Sequence, residues 1–324
     1  MQFRTLFDFL HQSSPLLLTT HVHPDGDAIC SLLAFDYLCQ RLKREAVPVI
    51  MDPIPELLTF LPGVERIQST AMQPHRQKYD SAVILDAGAR VRIGSIEENL
   101  AEGAAIANID HHVSNDEFGD VHLIHLDASA TCQIIYEVFT DFGITPSPEE
   151  ATCLYTGILT DTGRFRFSNT TPRALHIMSR LADLGANPAE ITERIYYEIP
   201  LSDLHAMYRA LTSLDMYADG QVVTIFMTPE NQVQESDRLA DIALSIQGVE
   251  VVMLFSEMTN RRIRISFRSK HRVNVSKIAE HFGGGGHYKA AGLRMRGTMQ
   301  SARDRLLPVV LQAVGAVEYN PASV

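Results

Sequence analysis

The fold of this chain can be inferred from residues 16–27, which read Leu16-Leu17-Leu18-Thr19-Thr20-His21-Val22-His23-Pro24-Asp25-Gly26-Asp27. Its leucine-rich beginning is typical of a short buried strand, which ends at His21. Residues 28–44 then carry apolar side chains at helical spacing, so a turn joins a strand to a helix. Either aspartate alone would be enough to cap that helix. Two aspartates after a strand-end histidine exceed this need, and we expect a cation there, because adjacent carboxylates repel one another.

The same alternation of strand and helix continues along the first half of the chain. Four more strand candidates are residues 47–51, 81–85, 104–109 and 121–126, and four helix candidates follow at 129–142, 148–159, 172–184 and 188–199. Short apolar strands separated by helices predict a parallel α/β sheet that is covered on both faces. Open sheets of this kind bind ligands at the carboxyl ends of their strands.

Three further acidic or imidazole motifs follow apolar segments. Asp86 ends the strand at 81–85, Asp110-His111-His112 ends the strand at 104–109, and Asp161 follows an apolar helix pattern. Alone, Asp86 or Asp161 could be an ordinary turn residue. Together with the first motif they supply six or seven ligands, more than one tetrahedral zinc ion takes. This favours two divalent metals sharing a carboxylate, and the lack of cysteine favours manganese or magnesium over structural zinc.

The second half of the chain predicts a smaller α/β domain. A length of 324 residues corresponds to about two domains. Strand candidates lie at 221–227, 249–257, 262–268 and 293–296, and helix candidates lie at 238–246 and 301–314. The four cysteines form no CxxC pair, and we expect them to be buried thiols in a reducing cytoplasm. No segment approaches the length of a membrane span.

Charge is distributed unevenly along the chain. The formal net charge of −11 argues against non-specific nucleic-acid binding. Residues 257–305, however, contain 12 Lys and Arg against 3 Asp and Glu, a local charge of +9 that leaves −20 for the rest. A solvated basic face is the ordinary interpretation. The glycine run at 283–286 within this region favours an anion site instead, because glycines let backbone amides approach an anion closely.

One strand of this basic region carries several candidate anion ligands. Side chains alternate along a strand, so Arg262, Arg264, Ser266 and Arg268 share one face. Planar guanidinium groups suit phosphate, and a substrate clamp is therefore our interpretation. A solvated strand face is the alternative.

These motifs resemble those of the DHH phosphoesterase superfamily. His-x-x-x-Asp-x-Asp, the strand-end Asp, Asp-His-His and a later Asp match its four motifs in order and spacing. The run Gly283-Gly284-Gly285-Gly286-His287-Tyr288-Lys289-Ala290-Ala291-Gly292 resembles the signature of the DHH-associated C-terminal domain. The two-domain length and the neighbouring Arg-Ser and polyglycine elements look most like the nano-RNase and pAp phosphatase subfamily.

The resemblance implies roles for particular residues. One manganese would be held by His21, Asp25 and Asp86, and the other by Asp27, Asp86, His111 and Asp161, so that Asp86 bridges. His112 would touch the scissile phosphate. The substrate would be gripped by Arg262, Arg264, Arg268, Ser269, Gly283, Gly284, Gly285, Gly286 and His287. Residues 1–195 would form the DHH domain, 196–215 a helical connector and 216–324 the substrate-binding domain, with the active site in the cleft between the domains.

The resemblance also implies an activity. We expect two-metal hydrolysis of short oligoribonucleotides to mononucleotides and of 3′-phosphoadenosine 5′-phosphate (pAp) to AMP, with magnesium or cobalt as alternatives to manganese. A phosphodiesterase for linear or cyclic dinucleotides such as pApA or c-di-AMP is the nearest alternative. A RecJ-like single-strand exonuclease, a family II pyrophosphatase and a non-catalytic nucleotide-binding regulator are further ones. We expect no membrane partner, no long duplex partner, a cytoplasmic location and a homodimer.

Overall fold

The computed structural model describes residues 2–12, 15–231, 236–258 and 262–316, and the chain divides into two units, Met1–Glu198 and Ile199–Val324. The division falls within the segment expected to be the connector. The assignment of residues 1–195, 196–215 and 216–324 to a catalytic domain, a connector and a substrate domain stays a prediction.

The first unit is built on a parallel sheet, as the sequence predicts, but the sheet has six strands where the sequence offers five candidates, because the two-residue strand at 68–69 is too short to form a pattern. Its strands are β1 (Leu16–Thr19), β2 (Ala46–Ile50), β3 (Gln68–Ser69), β4 (Tyr79–Leu85), β5 (Leu100–Asp110) and β6 (Val121–Ile124). The strand order is β3-β2-β1-β4-β5-β6, and every neighbouring pair is parallel. The chain runs to one side from β1 and to the other side from β4. The carboxyl ends of β1 and β4 therefore flank the switch point at which such sheets bind ligands.

The sheet of the first unit is buried on both faces. Its helices are α1 (Gln2–Gln12), α2 (Gly26–Arg41), α3 (Thr131–Asp141), α4 (Pro148–Asp161), α5 (Pro172–Asp183) and α6 (Pro188–Thr192), which continues into a π-helical turn at Glu193–Tyr197. Leu16 and Leu18 of β1 belong to the core that contains the helices, whereas Leu17 faces a smaller core closed by the 3₁₀ segment Arg90–Asn99. This burial on both faces explains the continuous apolar strand patterns.

Helix ends in this unit follow local chemistry. Pro148, Pro172 and Pro188 each occupy the first turn of a helix, where proline is favoured, as the sequence predicts. Helix α2 ends at Arg41 rather than at the predicted Arg44, because the backbone of Lys43 adopts a left-handed φ of 56°.

The second unit contains a mixed six-stranded sheet. Its strands are β7 (Asp215–Tyr217), β8 (Val222–Met227), β9 (Val251–Met258), β10 (Arg262–Ser269), β11 (Gly285–His287) and β12 (Ala290–Arg296), in the order β11-β12-β10-β9-β8-β7. Strands β8 and β9 pair in parallel, and the other pairs are antiparallel. The helices are α7 (Leu201–Leu211), α8 (Ser236–Ser245), α9 (Val275–His281) and α10 (Met299–Ala313).

The helices cover this second sheet unequally. Helices α9 and α10 pack on the face that carries Ile263, Ile265 and Phe267. Helices α7 and α8 pack on the opposite face, against Val252 and Leu254 of β9 and against the neighbouring strand β8. The part of that opposite face formed by β10 and β12 carries exposed arginines.

The cysteines Cys30, Cys39, Cys132 and Cys153 are free and buried, as expected. Burial raises the pKa of all four thiols and so favours their protonated form. Within the described ranges, no helix is long and apolar enough to cross a membrane.

Candidate metal centre

Strand register brings the predicted motifs of the first unit to one level. Thr19 of β1 pairs with Ile84 of β4, so His21 reaches the level of Asp86. Leu85 of β4 pairs with Ile109 of β5, and the amide of Asp86 donates to the carbonyl of Ile109 at 2.9 Å. Motifs far apart in sequence therefore meet at the carboxyl edge of the sheet.

Asp86 lies at the centre of this group. Its Oδ2 is 3.6 Å from Nε2 of His21, and its Oδ1 is 3.7 Å both from Nε2 of His111 and from Nδ1 of His112. The Thr131 hydroxyl donates to Oδ1 at 3.0 Å. Only 2% of Asp86 is exposed, and its φ of 55° is in the left-handed region, which is strained for a residue with a side chain. Such strain is typical of functional sites.

The imidazoles determine the charge of Asp86. Burial alone would raise the pKa of this carboxyl, but the hydrogen bond with His21 and the positive charges of His112, His21 and His111 lower it well below its usual range. The effect is reciprocal at His21. Burial opposes the charged imidazole, yet the hydrogen bond with Asp86 and the charges of Asp25 and Asp86 raise the pKa of His21 to about 9.

Asp25 has two roles in the structure. Its Oδ1 accepts the amide of Ala28 at 3.1 Å and so caps helix α2. Its Oδ2 lies 3.9 Å from Nε2 of His21. Nδ1 of His21 is 2.9 Å from the carbonyl oxygen of Val22, a contact that orients the ring with Nε2 towards the carboxylates. Capping and a place in the acidic cluster are thus compatible at this residue.

Asp27 is almost fully buried, and its carboxylate contacts the start of helix α3. Its Oδ2 accepts the amide of Thr131 at 2.6 Å, and its Oδ1 accepts that of Cys132 at 3.0 Å, in the first turn of α3. A helix N-terminus favours a negative charge. Burial and the charges of Asp86 and Asp161 nevertheless raise the pKa of Asp27 well above its usual value. A cation would relieve this repulsion.

Asp161 and His111 form the far side of the group. Nε2 of His111 is 3.6 Å from Oδ2 of Asp161, and its Nδ1 is 3.3 Å from the carbonyl oxygen of Ala128. Asn169 donates to Oδ2 of Asp161 at 3.1 Å. Burial raises the pKa of Asp161 to about 7 despite the opposing charge of His111. Burial also opposes the charged form of His111, but Asp161 and Asp86 raise its pKa.

Asp110 binds His112, although the sequence does not predict Asp110 as a site residue. Oδ1 of Asp110 is 2.6 Å from Nδ1 of His112, and Oδ2 accepts a hydrogen bond from Asn115 at 2.6 Å. Burial opposes the charged form of His112, but the hydrogen bond with Asp110 and the charge of Asp86 raise its pKa to about 10. The only sequence signal for this role is that Asp110 begins the Asp-His-His motif and follows an apolar strand.

The donor set fits divalent cations. In the part of the chain that the structure describes, two groups of three side chains place ligand atoms within 4.8 Å of one another: His21, Asp25 and Asp86, and Asp86, His111 and His112. Asp86 belongs to both groups. The first equals one predicted ligand set. The second contains His112 and omits Asp27 and Asp161, so the predicted division of roles among these residues stays a prediction.

Arginines on β10 and β12 face one another in the second unit. Arg262 pairs with Arg296 across the strands, and Arg264 pairs with Arg294, and all four side chains are exposed. Like charges directly opposite each other on a sheet are destabilising, so this arrangement favours an anionic partner. The sequence does not predict Arg294 and Arg296 as site residues, although apolar and basic residues alternate along their strand. We call these four residues the arginine face.

Arg268 and Ser269 lie further along β10 and differ from each other. Arg268 is partly buried on the same side as Arg264, and its Nη1 donates to the carbonyl of Phe267 at 2.9 Å. Ser269 points to the other side of the strand, is buried, and donates to the carbonyl of Val273 at 2.7 Å. This contact supports a turn, and the predicted role of Ser269 in substrate binding stays a prediction.

The second half of the glycine run lies in one strand of a hairpin. Gly285 pairs with Gly292, Gly286 with Ala291 and His287 with Ala290, so residues 285–287 are part of the sheet and not a flexible linker. A Cβ on Gly286 would lie 2.5 Å from the carbonyl oxygen of Ala290, and its φ is 142°. A Cβ on Gly285 would meet no atom within 4 Å. The hairpin therefore requires glycine at 286 but not at 285.

Known proteins show the same two-part organisation. The profile of the DHH family, N-terminal domain, matches residues 15–158, and that of the DHHA1 domain matches residues 219–316. A bifunctional oligoribonuclease and PAP phosphatase NrnA from Thermus thermophilus is 34% identical over 309 residues, which are 94% of this chain and 92% of that protein. The chain belongs to the DHH family. The family assignment expected from the four motifs is thereby confirmed.

Two further proteins show how far this DHH-family likeness extends. The NrnA protein of Bacillus subtilis, with the same descriptive name, is 26% identical over 86% of this chain and 88% of its own length. The crystal structure of an exopolyphosphatase-related protein from Bacteroides fragilis covers 97% of this chain and 95% of its own, with a TM-score of 0.86 and 26% identity. The likeness to these two proteins therefore extends over both units of this chain.

Replacing Asp86 by Asn should abolish the stabilisation of the protein by manganese. Asp86 is the only residue shared by the two groups of described ligand atoms, and an amide lacks the charge that offsets two cations. We expect manganese to raise the unfolding midpoint of the wild-type protein but not that of Asp86→Asn. Asp80→Asn is the matched control, since Asp80 is exposed on the same strand. An equal rise in Asp86→Asn and Asp80→Asn would contradict the site.

Gly286→Ala should destabilise the second unit, whereas Gly285→Ala should not. The cost at Gly286 comes from the positive φ and the contact with Ala290, and we expect about 1–3 kcal/mol in the free energy of unfolding. Urea unfolding followed by circular dichroism measures this difference. A similar loss in both variants would mean that the hairpin is formed differently.

Proposed function

We propose that this chain is a metal-dependent phosphoesterase that hydrolyses short oligoribonucleotides to mononucleotides and pAp to AMP. The observation that carries the proposal is the convergence of three separate motifs around Asp86 at the switch point of the sheet, with His21, His111 and His112 beside Asp86 and Asp161 beside His111. Its relative from Thermus thermophilus, named for both activities, is similar over nearly the full length of both chains.

We infer two divalent cations, with manganese first and magnesium or cobalt as alternatives. His21, Asp25 and Asp86 would hold one, and Asp27, Asp86, His111 and Asp161 would hold the other. When bound, such a pair supplies hydroxide at neutral pH and neutralises charge on phosphoryl oxygens. Oxygen and nitrogen donors support this choice of metals, as does the absence of any cysteine side chain from both described groups of ligand atoms.

The side chains around the metals position the reacting groups. Asp110 binds Nδ1 of His112 and so orients the ring, whose other nitrogen would donate to a phosphoryl oxygen of the substrate. Thr131 and the first turn of α3 fix the carboxylates of Asp86 and Asp27. These groups are preorganised and need little rearrangement when charge develops on the substrate.

The second unit would bind the charged end of the substrate. The arginine face, with Arg268, supplies guanidinium groups that suit phosphate. The hairpin with Gly285 supplies a backbone surface without side chains, and its predicted role includes Gly283, Gly284, Gly286 and His287. Because the arginine face and the hairpin are small surfaces, we propose short single strands and nucleotides as substrates rather than long duplexes. An active site in a cleft between the units, a homodimer and a cytoplasmic location stay predictions.

A substrate panel tests the proposed reaction. With manganese, we expect release of AMP from pAp and of mononucleotides from a pentanucleotide RNA, slower release from an RNA of about two dozen nucleotides, and none from pyrophosphate. A chelator should abolish all release.

Other outcomes of the panel would identify the alternatives. Preference for pApA would indicate a dinucleotide phosphodiesterase. Faster cleavage of the long RNA would favour a RecJ-like exonuclease, and release from pyrophosphate alone a pyrophosphatase. No release from any substrate would favour a regulator and would refute the proposal.

Asp110→Asn should lower kcat without loss of metal binding. Asp110 orients His112, and partners of this kind typically contribute 10- to 100-fold, so we expect a fall of about that size with pAp. Manganese should still raise the unfolding midpoint. Asp116→Asn is the control, because Asp116 is exposed in the following loop. Unchanged turnover in Asp110→Asn would rule out this positioning role.

A further inference from the structure

A cavity lies in the first unit, at the opposite edge of the sheet from the metal centre. Its volume is about 310 Å³, and it lies between the carboxyl end of α2 and the beginnings of β2 and β3. The polar residues that line it are Asp36, Gln40, Arg44, Glu45, Arg66 and Gln68. Nothing in the proposed reaction uses these residues.

Two arginines in this cavity have buried nitrogens without hydrogen-bond partners. They are Nε and Nη2 of Arg44 and Nη2 of Arg66. A buried donor without a partner costs about 1–3 kcal/mol, and a charged one costs more. Native proteins rarely leave such groups unsatisfied, so three of them around one cavity indicate an absent acceptor.

The protein balances the charge of Arg66 but not that of Arg44. Nε of Arg66 donates to Asp36 at 2.7 Å, and Gln40 donates to the same Asp36 oxygen at 2.8 Å. The Arg66 guanidinium also stacks over the ring of Tyr37 at 4.2 Å, which fixes its position. Among the described residues, no carboxylate lies within ion-pair distance of Arg44, and Glu45 is exposed. The cavity thus combines a fixed guanidinium with an unbalanced one.

We propose that this cavity, the Arg44–Arg66 pocket, binds a phosphate-type oxyanion. Water could accept the hydrogen bonds but would leave the charge of Arg44 unbalanced, whereas an oxyanion supplies both acceptors and charge. Guanidinium groups match the geometry of such an anion. The volume is at the lower end of the range for ligand pockets. Inorganic phosphate and the phosphate of a mononucleotide share this chemistry, and separate measurements with phosphate and with AMP distinguish them.

The pocket is separate from the metal centre. Strand β1 pairs with β2 at Leu16 and Ala46, next to the pocket, and reaches the metal centre at His21. Five residue steps at about 3.3 Å give roughly 16 Å between the two ends. One anion cannot contact both sites, so binding at the pocket can be removed without touching the metal ligands.

The test measures the unfolding midpoint of the manganese-loaded protein in sulfate, with chloride at equal ionic strength as the reference. Sulfate represents the oxyanion because it is not hydrolysed. Saturation to ten times Kd should raise the ratio of folded to unfolded protein about elevenfold. We expect this increase in the wild-type protein and in Arg180→Met, which removes an exposed arginine of the same unit. We expect Arg44→Met to lose the part of the increase that comes from the pocket, while any contribution from the metal centre and the arginine face stays the same in all three proteins.

Stability without oxyanion provides a second readout. Arg44→Met removes two buried nitrogens that have no hydrogen-bond partner, so we expect it to be at least as stable as the wild type in chloride. Should Arg44→Met fail to fold, Arg44→Lys keeps the charge without the planar fork, and a reduced increment is expected there. Equal sulfate increments in the wild type and in the folded Arg44 variant would overturn the proposal. General salting effects of sulfate would produce that result.

Separate measurements of the unfolding midpoint with inorganic phosphate and with AMP identify the source of the anion. If AMP raises the unfolding midpoint in an Arg44-dependent way at lower concentrations than phosphate does, the pocket binds a nucleotide phosphate. The reverse order would assign it to free phosphate. No Arg44-dependent increment with either anion, or with sulfate, would refute the pocket.

Discussion

The structure of the first unit depends on the electrostatics around one buried carboxylate. Asp86 carries a negative charge at the edge of the sheet because three histidines lower its pKa. Burial, together with repulsion from this charge, raises the pKa of Asp27. Carboxylates this close together in a buried site are compatible with folding only if positive charge lies between or beside them. Histidines supply part of that charge, and divalent cations would supply the rest.

The parallel sheet is what allows this concentration of charge. Strands β1, β4 and β5 end at one level, so His21, Asp86 and Asp110 meet although they are separated by many residues. Helices α2 and α3 begin at the same edge, and their first turns bind Asp25 and Asp27 through backbone amides. The fold therefore stabilises each carboxylate with neutral donors as well as with imidazoles. The second unit shows the opposite charge pattern, in which arginines of two neighbouring strands face one another.

Much of this arrangement is predictable from the sequence, because a strand that ends in a charged residue marks the binding edge of an α/β sheet. That reasoning identifies His21, Asp86 and His111 and the parallel sheet. It misses Asp110 as the partner of His112, because side-chain pairing two residues apart depends on rotamers that sequence does not encode. It also misses the contact of Asp27 with the first turn of α3 and the pairing of Arg294 and Arg296 with β10, both of which depend on contacts between distant segments. The cavity at Arg44 and Arg66 has no sequence signal, since neither arginine belongs to a motif.

Anomalous diffraction at the manganese edge, from crystals grown with manganese, shows whether Asp86 lies between two metal ions. We expect two peaks about 4 Å apart, with the Asp86 carboxylate bound to both. One peak would be closest to His21 and Asp25, and the other closest to His111. A map without a peak at Asp86, or with a single peak that Asp86 does not contact, would contradict this expectation.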